Sequence, residues 1–245
     1  MKGENYEFSI RRKDDVGKVS FSTFQVPKSK ISTVLEGLVY IKENLDQTLA
    51  FRFSCTMEIC GSCSMIINGK PRMACSTIAS SLKSDTIRVE PLSHYNVIKD
   101  LVVDIDPFFS KYREIKPYVI SEDEGPYTSE MKQTREEEKK YLDYSLCIKC
   151  GLCLAACPTI GSDPDYLGPA ALTAALRYNL DSRDNGKMQR LEVVGTEDGA
   201  SRCHYAGECT EVCPKDVDPS AAIQTLRRQS LKGEFSLLLR GGRRK

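Results

Sequence analysis

The sequence predicts an α+β protein of two domains, with a strand-rich N-terminal half followed by a helical C-terminal half. Three observations support this prediction. Apolar and polar residues alternate near the N-terminus, as they do in half-buried strands. The second half is dominated by segments with helical spacing and helix-starting residues. The 11 cysteines of the 245-residue chain fall into three groups, at positions 55–75, 147–157 and 203–213.

The first elements are two strands and a helix. Tyr6, Phe8 and Ile10 alternate with polar residues, and the segment 19–26 alternates in the same way, so each predicts a strand. Between residues 31 and 41 the apolar residues recur at helical spacing and occupy one face, which predicts an amphipathic helix.

A hairpin and a further strand complete the N-terminal half. The strand 65–67 runs into Asn68-Gly69, a dipeptide that readily takes positive φ at both positions of a tight turn. The segment 86–90 is strand-like and ends at Pro91. This order of elements indicates a small α+β domain, which we place at residues 1–106.

The C-terminal half is predicted to be helical. Residues 107–126 contain three prolines, a glycine and the acidic segment SEDEG, which predicts a linker. Beyond it, helical patterns cover 132–144 and 169–180, and Asp218-Pro219 starts a helix that we extend to about residue 231. We therefore place a helical domain at residues 127–245.

Composition narrows the function classes. The 35 Lys and Arg residues nearly cancel the 34 Asp and Glu residues, so charge gives no argument for a nucleic-acid partner. No run of about 18 apolar residues predicts a membrane span. The N-terminal MKGENYEFSIRRKDD lacks the apolar core of a secretory signal, which favours a reducing compartment, where cysteine groups are typical of metal sites.

The first cysteine group has the spacing C-x4-C-x2-C-x11-C, formed by Cys55, Cys60, Cys63 and Cys75. Its opening spacing is that of plant-type [2Fe–2S] ferredoxins. Gly61 has no Cβ, which allows backbone amides to approach a cluster closely. The alternative is a four-thiolate zinc site, although zinc usually takes two separate C-x2-C pairs. The motif therefore favours a plant-type ferredoxin (β-grasp) domain that holds a [2Fe–2S] cluster.

The second group has the spacing C-x2-C-x2-C-x3-C followed by Pro158, and it consists of Cys147, Cys150, Cys153 and Cys157. This is the run found in bacterial ferredoxins, in which the fourth cysteine ligates the other of two clusters. Such a run needs a partner, and it predicts an all-α bacterial-ferredoxin-like domain with two clusters.

The third group supplies that partner run, CHYAGECTEVCP, but has Ala206 where the second cysteine would stand. Exchange of the last cysteines assigns four thiolates to a [4Fe–4S] cluster: Cys147, Cys150, Cys153 and Cys213. Three thiolates remain, from Cys157, Cys203 and Cys209, and they suit a [3Fe–4S] cluster. The alternative is a fourth iron completed by water or by Glu208. The partition leaves none of the 11 cysteines unused.

From about residue 5 to 230 the chain resembles the iron–sulfur subunits of succinate dehydrogenases and fumarate reductases. The resemblance rests on the order of the three motifs and on the segments RFSCTMEICGSCSMIING, DPDYLGPAAL and RYNLDSRD. It implies that the chain passes electrons between the FAD of a flavoprotein subunit and a quinone at a membrane anchor, in the tricarboxylic acid cycle or a respiratory chain. Haem in the anchor and the direction of turnover stay open.

The resemblance also implies a location and a quinone site. The chain would be peripheral, at the cytoplasmic face of the cell membrane, or on the matrix side of the mitochondrial inner membrane if a transit peptide has been removed. His204, Ser162 and Pro158 are the candidates near the quinone. Many relatives have a tryptophan after the C-P dipeptide, whereas this chain has Thr159 to Ser162 there and no Trp at all. The alternative for His204 is a surface histidine.

Two other functions remain as alternatives. One is the iron–sulfur subunit of another flavin complex, whose electron acceptor is a thiol or a disulfide. The other is a zinc-stabilised binding module without redox function, which metal and sulfide analysis would distinguish.

Overall fold

A computed structural model describes residues 4–14, 16–121 and 130–241, with side chains as far as residue 231. The chain divides into two compact units. The first comprises Met1–Ile105 and Ile148–Ala156, and the second comprises Asp106–Cys147 and Cys157–Lys245. The domain boundaries at residues 106 and 126 stay a prediction.

The first unit is built on a five-stranded mixed sheet in the order β2-β1-β5-β3-β4. β1 pairs antiparallel with β2 and parallel with β5, which is the arrangement of a β-grasp sheet. A small hairpin, β6 and β7, follows the sheet. The strands are β1 Asn5–Lys13, β2 Val19–Pro27, β3 Ser64–Ile67, β4 Lys70–Met73, β5 Thr86–Glu90, β6 Val97–Lys99 and β7 Val102–Val103.

Helix α1, Val34–Asn44, covers one face of this sheet. A capping box between Thr33 and Glu36 starts the helix. Its apolar face is buried, and Gly37 lies so close to the Phe8 ring of β1 that a Cβ there would overlap it. The predicted helix is confirmed, and the close approach explains the glycine in its interior.

The predicted hairpin is also confirmed. β3 and β4 pair in register from Ser64–Met73 to Ile67–Lys70. Asn68 and Gly69 have φ of 48° and 77°, as the mirror-image turn requires. The hairpin thereby returns the chain after β4 toward the residues that precede β3.

The second unit is helical in its described part. Its helices are α2 Asp106–Glu114, α3 Arg135–Lys139, α4 Leu142–Ser145, α6 Pro158–Ser162, α7 Pro169–Asn179, α8 Lys187–Val194, α9 Glu208–Glu211 and α10 Pro219–Gly241, while α5, Leu152–Ala155, belongs to the first unit. Within the predicted linker, α2 forms because Phe108 and Tyr112 bury one helical face. Residues 122–126 of that linker lie outside the described residues. The helix predicted over 132–144 is two short helices, and α10 runs ten residues past the predicted end at 231.

The core of the second unit contains a buried ion pair. Arg190 of α8 contacts both carboxylate oxygens of Asp184, at 2.6 and 2.8 Å, and both side chains are fully buried. Arg190 also donates to the carbonyls of residues 115, 116 and 118, which follow α2.

Among the described residues, no helix is both long enough and apolar enough to cross a membrane.

Candidate iron–sulfur sites

The first cysteine loop, residues 55–63, lies between α1 and β3 and turns its backbone N–H groups toward sulfur. The N–H groups of Ile59 and Cys60 donate to the Cys55 thiol at 3.3 and 3.2 Å. This inward turn requires a left-handed backbone at Thr56, Glu58 and Gly61, with φ of 58°, 58° and 75°. Amide donors aimed at sulfur stabilise the thiolate form, which is the form that ligates iron.

Cys60 is the most exposed thiol of this loop. Burial acts to raise its pKa, but the Ser62 hydroxyl, 2.8 Å from the sulfur, and further hydrogen bonds from Cys55 and Ser62 outweigh it, so that the pKa falls to about 6. A side chain two residues along the chain therefore favours the thiolate at Cys60.

The hairpin brings the other two cysteines of this group together. Cys63 directly precedes β3 and Cys75 follows β4 shortly after its end, and both are buried. Burial and the neighbouring Cys75 raise the pKa of the Cys63 thiol to about 12. The loop thus holds a half-buried thiol, Cys55, and an exposed one, Cys60, while the base of the hairpin holds a buried pair.

The first loop lies against the Cys150 loop within the same unit. A Cβ added to Gly61 would lie 2.9 Å from Cys150 Cα and 3.2 Å from the Ile148 carbonyl oxygen. Only a glycine allows this approach without displacing the backbone. Two of the predicted ligand loops are therefore in direct backbone contact.

The Cys150 loop has a characteristic backbone. Lys149 and Gly151, on either side of Cys150, are both left-handed, with φ of 56° and 79°, and Gly151 is the N-cap of α5. The half-buried Tyr95 donates its hydroxyl hydrogen to the Gly151 carbonyl at 3.3 Å. Burial and the nearby thiols of Cys153 and Cys150 raise the pKa of Tyr95. Sequence reasoning missed this tyrosine, because it lies more than 50 residues from the cysteines it contacts.

The third cysteine group repeats this backbone. Tyr205 and Gly207 are left-handed, with φ of 57° and 81°, and Gly207 is the N-cap of α9 as Gly151 is the N-cap of α5. Ala206 therefore occupies the position in its loop that Cys150 occupies in the other. The loop keeps the ligand conformation but presents a methyl group instead of a thiol.

Three cysteines of the second unit line one cavity. Cys157, at the start of α6, Cys203 and Cys209 share its wall with Ala206 and Tyr166. Burial, together with the charges of Cys157 and Cys203, raises the pKa of Cys209 to about 11. Thiolates at these three positions would repel one another, and a cationic iron centre would stabilise them as a donor set.

Tyr166 is fully buried at this cavity, and its hydroxyl has no hydrogen-bond partner in the described part of the chain. Burial and the thiols of Cys203, Cys157 and Cys209 raise its pKa. An unpaired buried donor beside three thiols fits an inorganic sulfur group bound there. The motif DPDYLGPAAL pointed to this segment, but nothing in the sequence indicated where the Tyr166 hydroxyl would lie.

The remaining predicted ligands, Cys147 and Cys213, are half-buried in the second unit. Cys147 lies near Tyr112, whose pKa is raised by burial and by the Cys147 thiol. Cys213 follows α9, and its N–H group donates to the Thr210 carbonyl at 3.2 Å.

Of the three candidate quinone residues, Pro158 lies in the lining of the three-cysteine cavity, and it is exposed. Ser162 is exposed at the end of α6, and its hydroxyl donates to the Thr159 and Pro158 carbonyls at 3.0 and 3.4 Å. His204 is exposed, next to Cys203. Their role at a quinone stays a prediction.

In the described ranges, no three Cys, His, Asp or Glu side chains converge as they would around a single metal ion.

The fold and the cysteine loops define an iron–sulfur protein of two ferredoxin-type domains, and family comparisons agree. Residues 7–110 match a 2Fe-2S iron-sulfur cluster binding domain. Residues 139–214 match a 4Fe-4S dicluster domain.

Individual relatives narrow the family. The chain is 46% identical over 219 residues to the fumarate reductase iron-sulfur subunit of Mycobacterium tuberculosis, with 89% of each chain covered. It is 38% identical over 224 residues to the succinate dehydrogenase iron-sulfur subunit of Paracoccus denitrificans, with 90% of this chain and 86% of the relative covered. A chain of the Mycobacterium smegmatis Sdh1 complex, solved in the apo form, superimposes with a TM-score of 0.84 at 25% identity, over 94% of this chain and 97% of that one.

The chain belongs to the family of iron–sulfur subunits of fumarate reductases and succinate dehydrogenases. It is an electron-transfer subunit with [2Fe–2S] and [4Fe–4S] clusters, and its family also carries a [3Fe–4S] cluster. Complexes of this family are membrane-bound and include a flavoprotein and a membrane anchor.

Proposed function

We propose that the 11 cysteines divide among three clusters. Cys55, Cys60, Cys63 and Cys75 hold the [2Fe–2S] cluster. The [4Fe–4S] cluster takes Cys147, Cys150, Cys153 and Cys213. The [3Fe–4S] cluster takes Cys157, Cys203 and Cys209. Each cluster, when bound, carries electrons singly between flavin and quinone.

The observation that carries this proposal is the single cavity lined by Cys157, Cys203, Cys209 and Ala206. Cys157 belongs to the second cysteine run, whereas Cys203 and Cys209 belong to the third, so the cavity draws on both runs as exchanged last ligands require. Ala206 occupies the position at which the other run has its second thiol, and alanine offers iron no donor.

The protein's own groups prepare these sites. Backbone amides and Ser62 donate to the thiols of the first loop, which supports their ionised form. The contact of Gly61 with Cys150 keeps the first loop close to the second and shortens the path between their clusters.

We place the chain between an FAD-containing flavoprotein subunit and a membrane anchor with bound quinone, at the cytoplasmic face of the cell membrane. The [2Fe–2S] domain faces the flavin, and the three-cysteine cavity faces the quinone. Pro158 and His204 are the residues best positioned for the quinone side, because Pro158 lines the cavity and His204 is exposed beside Cys203. Ser162 is placed less well, since its hydroxyl hydrogen serves carbonyls of its own helix.

The first experiment is anaerobic purification of the complex from membranes, with identification of partner chains and assays of succinate-to-quinone and quinol-to-fumarate turnover. We expect a flavoprotein and an anchor to co-purify, with iron and acid-labile sulfide in the preparation. Stoichiometric zinc without sulfide, or turnover only with a thiol or disulfide acceptor, would refute the assignment.

A pair of variants tests the exchange of last ligands. Cys157→Ala should abolish the three-iron paramagnetic resonance signal and spare the reduced [4Fe–4S] signal, whereas Cys213→Ala should do the opposite. If each run instead ligated its own cluster, the two results would be reversed.

A further inference from the structure

Tyr166 is held rigidly by its surroundings. It lies in the segment before α7, and the Lys111 ammonium donates to its carbonyl at 2.7 Å. The next residue, Leu167, donates its N–H group to the Asp198 carbonyl at 2.8 Å. The side chain has no exposed surface, so the ring cannot turn its hydroxyl toward solvent.

The hydroxyl of Tyr166 is buried at the wall of the cavity formed by Cys157, Cys203 and Cys209. Buried hydroxyls nearly always have a hydrogen-bond partner, because an unpaired one costs free energy. No carbonyl, carboxylate or hydroxyl among the described residues accepts from this one. The acceptor type that shares the cavity with this hydroxyl is sulfur, from Cys157, Cys203 and Cys209 or from an inorganic sulfide bound among them.

We propose that Tyr166 donates a hydrogen bond to the [3Fe–4S] centre, through the Cys203 sulfur or an inorganic sulfide, and thereby raises its reduction potential. This inference rests on the ligand partition proposed above. Hydrogen bonds to cluster sulfurs set reduction potentials, because a donor stabilises the more negative, reduced state. Tyr166 is thus a positioning and tuning residue rather than a catalytic one.

The test is Tyr166→Phe in the intact complex, which removes one oxygen and keeps the ring. Redox titration of the three-iron signal should show reduction becoming harder by roughly tenfold in the equilibrium constant, or about 59 mV for one electron. Pulsed resonance of the unaltered protein exchanged into D2O should show a deuteron coupled to the three-iron centre. Tyr166→Phe should remove the coupling of the hydroxyl deuteron, while a coupling from the Tyr205 amide, whose N–H donates to the Cys203 sulfur at 3.4 Å, should persist.

The control is Tyr95→Phe, since the Tyr95 hydroxyl already donates to the Gly151 carbonyl. We expect this variant to leave the potential of the three-iron centre and its deuteron coupling unchanged. A three-iron signal in the unaltered protein with no exchangeable coupling, or a set of exchangeable couplings that is unchanged in Tyr166→Phe, would overturn the inference. The measurement on the unaltered protein stands even if the variant assembles poorly, and absence of any three-iron signal would instead refute the ligand partition.

Discussion

Replacement of Gly61 by alanine tests the backbone contact between the first two cysteine loops. Gly61 has φ of +75°, and its added Cβ would lie 2.9 Å from Cys150 Cα. Gly69, at the hairpin turn, has nearly the same φ of +77° but nothing within 4 Å of an added Cβ. Gly69→Ala is therefore a matched control that carries the conformational cost without the steric overlap.

The expected destabilisation of Gly61→Ala has two contributions, the left-handed backbone conformation and the steric overlap. A left-handed backbone at a residue with a Cβ costs about 1–2 kcal/mol, and this term applies equally to both variants. The overlap at Gly61 is with main-chain atoms, which cannot rotate away, and crowding of this kind costs about 1–3 kcal/mol more. For a chain of this size each kcal/mol lowers the melting temperature by about 2–4 °C, so Gly61→Ala should melt about 2–12 °C below Gly69→Ala.

The assay is anaerobic thermal unfolding of the two variants side by side, followed by paramagnetic resonance of the reduced protein. Separation of the two loops in Gly61→Ala should weaken the magnetic interaction between the [2Fe–2S] and [4Fe–4S] clusters, whereas Gly69→Ala should keep it. Equal melting temperatures and identical spectra would show that the Gly61–Cys150 contact does not set the spacing of the loops.

Three further predictions follow from other sites. Ala206→Cys should admit a fourth iron, abolish the oxidised three-iron signal and lower the potential of that cluster, because a thiolate adds negative charge; redox titration would check this, and an unchanged spectrum would contradict it. Ser62→Ala removes the hydroxyl 2.8 Å from the Cys60 sulfur and should lower the [2Fe–2S] midpoint potential by about 60 mV, measured by spectroelectrochemistry, whereas no shift would exclude Ser62 as a tuning group. Arg190→Met leaves the buried Asp184 carboxylate without its ion-pair partner and should lower the free energy of unfolding by about 3–5 kcal/mol. An unchanged denaturation midpoint would contradict a structural role for the pair.

The parts of the fold that the sequence predicts are those set by local physics. The turn at Asn68-Gly69 follows from the positive φ that these residues tolerate, and α1 follows from its apolar spacing. The parallel pairing of β1 with β5 joins Glu7 to Thr86, and no local pattern indicates which distant strand will pair. Helix α2 was not predicted, because prolines at 107 and 117 indicated a linker, although Phe108 and Tyr112 do have helical spacing.

The candidate sites also divide into features that the local sequence predicts and features that only the tertiary fold determines. Cysteine spacing predicts the loops because a short loop must bring its own thiols together. The tyrosines at positions 95, 112 and 166 could not be found this way, because each approaches its cysteines only through the tertiary fold. The contact of Gly61 with Cys150 joins residues 89 positions apart in the chain and was equally hidden.

Two properties of a cluster site, the number of irons and the reduction potential, usually vary together, and the repeated loops separate them. The residues around Ala206 keep the left-handed pair, Tyr205 and Gly207, that surrounds a thiol in the other loop. A loop released from ligation would have no reason to retain Tyr205 in this conformation, since a non-glycine residue there is strained. We therefore expect this backbone to hold a cluster as the other loop does, with only one donor atom fewer. We therefore expect the number of irons to depend on the side chain at 206, and the potential to depend on donors in the cavity wall such as Tyr166, whose buried hydroxyl has no partner in the described chain.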